Sequence, residues 1–243
     1  MQTSEVACKG LVLRLSDFKE ADAMVNAISS DGFFSFLGRG VKKLTSKNAS
    51  SVQPFSLSEF LLMRSNSGSL TLKQGTLEEN YQIEDSIEAM TVLSFLQELT
   101  LKVVQEDEAP LAYPYLLKAC SSIKEGKDPL TIGLLYFAKV LLNSGYGLDV
   151  DECVVCHKRK GIIALSYEEG GFLCKDHFEC VEDEKPDLTK LKIVRYLFRC
   201  GESDFPRVEF DRKETLPLYG ELGNYLENLT GCRLKSLSLI KNL

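Results

Sequence analysis

From Val6 to Leu15 apolar and polar side chains alternate, first through Val6 and Cys8 and then, in a shifted register, through Leu11, Leu13 and Leu15. Alternation of period two predicts a half-buried strand, and Gly10 stands at the shift, where a β-bulge is expected. Further strands are predicted over Ala23 to Ile28, Phe33 to Leu37, Phe55 to Met63 and Ser69 to Leu77, punctuated by Ser30-Asp31-Gly32 and Ser65-Asn66-Ser67-Gly68. Five short strands in the first eighty residues suit a small closed barrel of the OB-fold kind, although another five-stranded β domain has the same pattern.

The period changes to 3.6 from Glu84 onward, where Ile87, Met90, Val92, Leu93, Leu96, Leu99, Val103 and Val104 make one wide apolar face. A second helix is predicted over Tyr115 to Lys124. A third is well punctuated: Asp128 can cap the free amides, Pro129 suits the first helical position, and Gly145 can end the run from Leu130 to Asn143. Asp187 followed by Leu188, Leu191, Val194, Leu197 and Phe198 predicts another helix, and Pro217 to Leu229, ending at Gly231, a last one. Cys200 to Lys213 has no periodicity and reads as a loop. The chain is thus expected to be an α+β multidomain protein. A five-stranded OB-fold barrel at 1–80 leads into a helical domain at 81–148, interrupted by an insertion at 149–182 and completed at 183–243.

Composition places these elements in a soluble setting: of 243 residues, 44% are hydrophobic and 26% charged, the mix of an ordinary globular protein. No apolar run approaches the roughly 18 residues that cross a bilayer, and Met1 to Glu5 lack the basic and apolar regions of a signal peptide. The expected location is the cytoplasm, with no membrane partner. The net charge of -6 argues against a uniformly basic nucleic-acid binder, yet it is unevenly spread. Residues 1–80 hold nine Lys/Arg against eight Asp/Glu, net +1, and the rest 20 against 27, net -7. Between Gly32 and Ser58 stand Arg39, Lys42, Lys43 and Lys47 with no acid at all. Glycines at 38 and 40 allow close backbone approach, and four cations at short spacing can follow a phosphate backbone, so this segment is a candidate DNA contact. A solvated surface loop has the same composition. Phe33, Phe34 and Phe36, just before it, can either fill a small barrel or stack on bases.

Four of the eight cysteines, Cys153, Cys156, Cys174 and Cys180, fall in one stretch, while Cys8, Cys120, Cys200 and Cys232 are scattered, as buried free thiols commonly are. Cys153-Val154-Val155-Cys156 and, after seventeen intervening residues, Cys174-Lys175-Asp176-His177 have the spacing of two zinc knuckles. Ile162, Ile163, Leu165 and Tyr167 before Gly170-Gly171 predict a β-hairpin between them. The expected cofactor is one structural Zn2+ held by Cys153, Cys156, Cys174 and His177, with Cys180 as the alternative fourth ligand. His157 lies beside Cys156, and a metal-free cluster of reduced thiols is the plainer alternative. Four protein ligands leave no position for water, so such an ion supports the fold and does not catalyse.

An enzyme finds little support. The chain has no Gly-x4-Gly-Lys-Ser/Thr loop, no Gly-x-Gly-x-x-Gly, no His-Glu-x-x-His and no Gly-x-Ser-x-Gly, and its only two histidines stand beside cysteines of the cluster. Acidic groups such as Asp149-Asp151-Glu152 and Glu182-Asp183-Glu184 are consistent with solvated loops as well as with a nuclease metal. The other rival is a zinc-ribbon adaptor that binds only proteins, working through the acidic C-terminal two-thirds.

The order of parts resembles the RecO family of bacterial recombination mediators, as do several stretches: Gly10-Leu11-Val12-Leu13, Gly38-Arg39-Gly40-Val41-Lys42-Lys43 with Ser46-Lys47, Gln53-Pro54-Phe55, Gly170-Gly171-Phe172-Leu173-Cys174, and Gly231-Cys232-Arg233-Leu234-Lys235-Ser236. The resemblance implies an N-terminal OB-fold that binds single- and double-stranded DNA and anneals complementary strands. It also implies help in loading RecA onto DNA coated with single-stranded-DNA-binding protein, with RecR and the acidic C-terminal tail of that protein as partners. The family's ribbon commonly has Cys where this chain has His177, and some members lack zinc. For the tail, a groove in the helical region rimmed by Lys102, Lys118, Lys124 or Lys139 is expected.

Overall fold

The computed structural model describes residues 4–178, 187–202, 205 and 208–243. Five strands, β1 (Ser4–Asp17), β2 (Ala23–Ser29), β3 (Gly32–Gly38), β4 (Ser56–Arg64) and β5 (Leu70–Asn80), close into a barrel in the order β1-β2-β3-β5-β4. Closure depends on β1, whose first half pairs with β4 (Ser4↔Arg64 to Leu11↔Leu57) and whose second half pairs with β2 (Leu11↔Ile28 to Asp17↔Ala23). The bulge expected at Gly10 lies elsewhere: Gly10 pairs regularly with Ser58, and the register shifts between Val12 and Arg14. Gly10 is glycine for another reason. A Cβ there would come within 2.7 Å of the Phe34 ring and 2.8 Å of the Ile28 carbonyl oxygen.

Inside the barrel Val12, Val25, Phe36, Val41, Val52, Phe60, Leu62 and Leu72 form one cluster. The rings of Phe34 and Phe36 stack at 6.0 Å and both meet Phe60, at 6.1 and 4.9 Å. The other wall of the barrel is apolar as well. Leu11, Leu13, Ile28, Phe55 and Leu57 belong to a second, larger core shared with the helices.

Those helices are α1 (Ile87–Val103), α2 (Ala109–Lys124), α3 (Pro129–Asn143), α4 (Leu188–Arg199), α5 (Arg212–Thr230) and a short α6 (Ser236–Ile240). The expected caps are present: the carboxylates of Asp128 and Asp187 accept from Thr131 N at 2.7 Å and Lys190 N at 2.9 Å, and Gly231 closes α5 at a left-handed φ of 70°. α3 is the centre of the bundle, every residue from Leu130 to Leu141 being buried. It packs against α1, α2, α4 and α5.

Two helices begin earlier than expected, α2 at Ala109 instead of Tyr115 and α5 at Arg212 instead of Pro217. In each the misleading signal was a proline, Pro114 and Pro217, which stands inside the helix and forgoes one bond of the hydrogen-bond ladder without ending it. Residues 212 and 213, expected in a loop, are therefore helical. α6 was not anticipated. Its Leu237 and Ile240 are buried against the α1 and α5 side of the bundle.

Candidate metal centre and nucleic-acid interface

After α3 the chain enters a small unit built on a hairpin of β6 (Ile162–Ser166) and β7 (Gly171–Cys174). The first knuckle is a tight turn in which Cys153 N donates to the Lys158 carbonyl and His157 N to the Cys153 carbonyl, at 2.9 and 2.8 Å. His157 takes a left-handed φ of 60° to complete it. The second knuckle repeats the device, with His177 N and Phe178 N both donating to the Cys174 carbonyl at 3.0 Å. These two turns bring the Sγ atoms of Cys153, Cys156 and Cys174 and a ring nitrogen of His177 within 4.8 Å of one another.

The spacing of the donors can be set against a metal's requirements. Zinc at ~2.3 Å from sulfur and ~2.05 Å from nitrogen, with tetrahedral angles, requires S···S near ~3.8 Å and S···N near ~3.6 Å. The observed separations are 3.7 Å for Cys156 Sγ to Cys174 Sγ, and 3.7 and 3.4 Å for His177 Nδ1 to Cys153 and Cys174 Sγ. The group can hold a metal ion, and its size fits zinc. Burial works to raise the Cys153 thiol, but the N–H groups of Cys174, Cys156 and Val155 outweigh it and hold it down at about 6. His157 is turned away, with Nδ1 2.8 Å from the Glu152 carboxylate. Cys180, the alternative ligand, and Glu182-Asp183-Glu184 lie outside the described residues. On the other side Asp151 ties the unit to α4 through Arg199 at 2.8 Å and Arg195 at 3.3 Å.

The basic segment leaves the barrel at the end of β3. Val41 is its anchor: 2% exposed, it inserts between the strands, so its neighbours Arg39, Lys42 and Lys43 are left on the outside with Lys47 further along. Two backbone contacts fix it to the β1–β2 turn, Gly40 N to the Asp22 carboxylate at 2.8 Å and Lys42 N to the Ala21 carbonyl at 3.1 Å. The four cations are not equivalent. Lys42 is paired with Asp17 at 2.8 Å, whereas Arg39, Lys43 and Lys47 have no side-chain partner among the described residues. Sequence reasoning missed the Asp17 pairing, because partners 25 residues apart are brought together only by the register of the β1–β2–β3 meander, in which Ala23 pairs with both Asp17 and Gly38. The strand aromatics are settled as core: Phe34 and Phe36 pack inside the barrel and Phe33 against the helical core.

Of the lysines expected to rim a groove, Lys139 is excluded: it is 3% exposed, and its ammonium donates to the Phe198 carbonyl at 2.9 Å. Lys102 is held by Glu98 and the Arg233 carbonyl, and Lys124 by Glu79 and the Asn80 carbonyl. Lys118 has no side-chain partner among the described residues. No described helix is long and apolar enough to cross a membrane.

Fold and site together define a multi-part protein with an N-terminal five-stranded barrel, a helical bundle, and a Cys3His cluster of metal-binding geometry. Residues 1–81 match the family described as Recombination protein O N terminal, and residues 84–238 that described as Recombination protein O C terminal. Proteins named "DNA repair protein RecO" from Bacillus cereus (strain AH187), Bacillus anthracis and Bacillus cytotoxicus are each 30% identical over 241 residues, covering 97% of this chain and 96% of the relative. The chain belongs to the RecO family of DNA repair proteins.

Proposed function

We propose that this chain is a non-enzymatic recombination mediator whose barrel end binds single- and double-stranded DNA and anneals complementary strands. The observation that carries this reading is the trio Arg39, Lys43 and Lys47, left without a side-chain partner among the described residues on a loop that Val41 holds against the barrel. Unneutralised cations at fixed positions release condensed counterions when phosphate binds, and they let one surface hold two strands that repel each other. In the same reading the protein acts with RecR and helps load RecA onto DNA coated with single-stranded-DNA-binding protein. Residues 1–80 form the DNA-binding unit, 81–148 and 183–243 one helical domain, and 149–182 its zinc-ribbon insertion. One Zn2+ is held by Cys153, Cys156, Cys174 and His177. With all four positions taken by protein, its chemistry is to tie the two knuckles together.

For the partner's acidic, apolar-ended tail, the cleft between α5 and the α6 segment is a better match than the lysines first expected. Leu234 and Leu237 line it, with Arg233, Lys235 and Lys241 beside them. Strand annealing by the purified full chain tests the main reading. The expected result is that Lys43→Ala with Lys47→Ala slows annealing while leaving zinc content unchanged. Equal annealing by parent and variant, with no detectable DNA binding by either, favours instead a zinc-ribbon adaptor that binds only proteins through its acidic C-terminal part, net -7 over residues 81–243.

A further inference from the structure

The same barrel end carries a second chemistry. A small barrel that contacts bases ordinarily offers aromatic rings to them, since every base has a π-face. Here the strand aromatics are not available, because Phe34, Phe36 and Phe60 are packed together inside. The exposed ring at this end is Phe18, in the turn between β1 and β2, 52% open to solvent. Leu44, in the basic loop, is fully exposed.

Neither position is explained by the fold, which gains nothing from an apolar group left in water. Phe18 is nevertheless held in place. Its own N–H and that of Lys19 both donate to the Asp22 carbonyl, at 3.2 and 3.4 Å, and the Lys19 ammonium lies 5.7 Å from the ring centre. Asp22 also receives Gly40 N, and Asp17, the residue before Phe18, pairs with Lys42. The turn that carries the ring and the loop that carries the cations are thus stitched into one rim. Its acids are largely occupied: Asp17 by Lys42 and Asp22 by Gly40, which leaves Glu20.

We propose that Phe18 is a base-stacking residue for single-stranded DNA, an unpaired base lying on its ring while the adjoining phosphates meet Arg39, Lys43 and Lys47, with Leu44 as a further apolar contact. The inference rests on the DNA-binding reading above and adds a selectivity to it. Phosphate contacts serve single strand and duplex alike, but only an unpaired base can leave its neighbours to stack on a side chain. Pairing therefore removes the Phe18 contact and keeps the phosphate contacts, so annealed duplex is held more weakly than single strand and is released more readily.

Two variants of the full chain test this. Stacking on one ring contributes roughly five- to 150-fold in affinity for a single strand. Phe18→Ala is expected to weaken binding of a labelled oligothymidine at least about fivefold by fluorescence anisotropy. Duplex of the same length should change by less than about twofold, and the salt slope should not change, because no phosphate contact is lost. The chain contains no tryptophan, so Phe18→Trp places a single indole at this rim. Its emission should be quenched by the oligothymidine and little affected by duplex. Equal weakening toward single strand and duplex, or a tryptophan at 18 that is blind to oligonucleotide shown by anisotropy to be bound, would overturn the proposal and leave DNA binding by the rim standing. If the parent chain itself binds no DNA, both readings fall.

Discussion

Glu98 on α1 gathers the chain's closing segment, and its replacement by glutamine has a calculable effect. The carboxylate accepts from Lys102 Nζ at 2.7 Å, Lys235 N at 3.0 Å, and Ser236 N and Oγ at 2.7 and 2.5 Å. Burial works to raise this carboxyl, but Lys102, Ser236 and Lys235 as donors prevail and hold it down at about 2, from 4.5. At about 1.4 kcal/mol per unit the shift corresponds to roughly 3 kcal/mol, and partial solvent screening reduces this to about 2 kcal/mol. In Glu98→Gln the amide turns an NH2 toward one pair of these donors, so α6 should open about 30-fold more readily at pH 7, the equivalent of about 2 kcal/mol. Hydrogen exchange of the amides of Ser238 and Lys241 reads that opening directly.

The sign with pH follows from the depressed value. The carboxylate's contribution is fully present above about pH 4.5, the unfolded value, and is lost as pH falls toward 2. Acid also strips metal from thiolate ligands, so the quantity to follow is the difference between parent and variant, in which that loss cancels. The reasoning is refuted if α6 protection changes less than about threefold, well below the expected 30-fold, or if the difference in stability is the same at pH 3 as at pH 7.

The metal centre predicts one zinc per chain by elemental analysis, kept in His177→Cys and weakened in His177→Ala, while chelation loosens the hairpin and spares the barrel. Lys139→Met removes the buried ammonium and leaves the Phe198 carbonyl without that donor, so chemical denaturation should show a loss of about 1–2 kcal/mol. Gly133→Ala should lower the melting temperature despite alanine's higher helix propensity. The added methyl overlaps the Tyr219 hydroxyl, which donates to the Leu130 carbonyl at 2.8 Å, and lies 2.9 Å from Val92.

The Cys3His cluster was the most legible feature, because the two donors of each knuckle lie three residues apart in a tight local turn, so spacing alone brings them together, although Val154 N and Lys175 N also tie the turns to the hairpin. α3 was equally clear, since Asp128 and Pro129 act locally. What escaped the sequence depended on distant partners. Leu11 and Leu13 read as one face of a strand, correctly, but that this face belongs to the helical core and not to the barrel follows only from docking. Gly10 read as a bulge because the ring that demands its missing side chain belongs to another strand. Lys139 read as a surface charge for want of any signal that α3 is enclosed on all sides. The Lys235-Ser236 motif was recognisable by resemblance alone, and its physical reason, the Glu98 carboxylate, stands 138 residues from Ser236.

The central claim is that cations on the barrel rim with no side-chain partner among the described residues position DNA, and the salt dependence of binding tests it most directly. On single strands each phosphate contact contributes about -0.7 to the slope of log K against log salt. Lys43 and Lys47 are the informative pair, because removing Lys42 would also unmask Asp17. The double variant Lys43→Ala, Lys47→Ala should bind every sequence more weakly and show a slope flattened by about 1.4, with zinc content and base preference unchanged. Parental affinity with an unaltered slope would show that this loop is merely solvated and that the account of the DNA site is wrong.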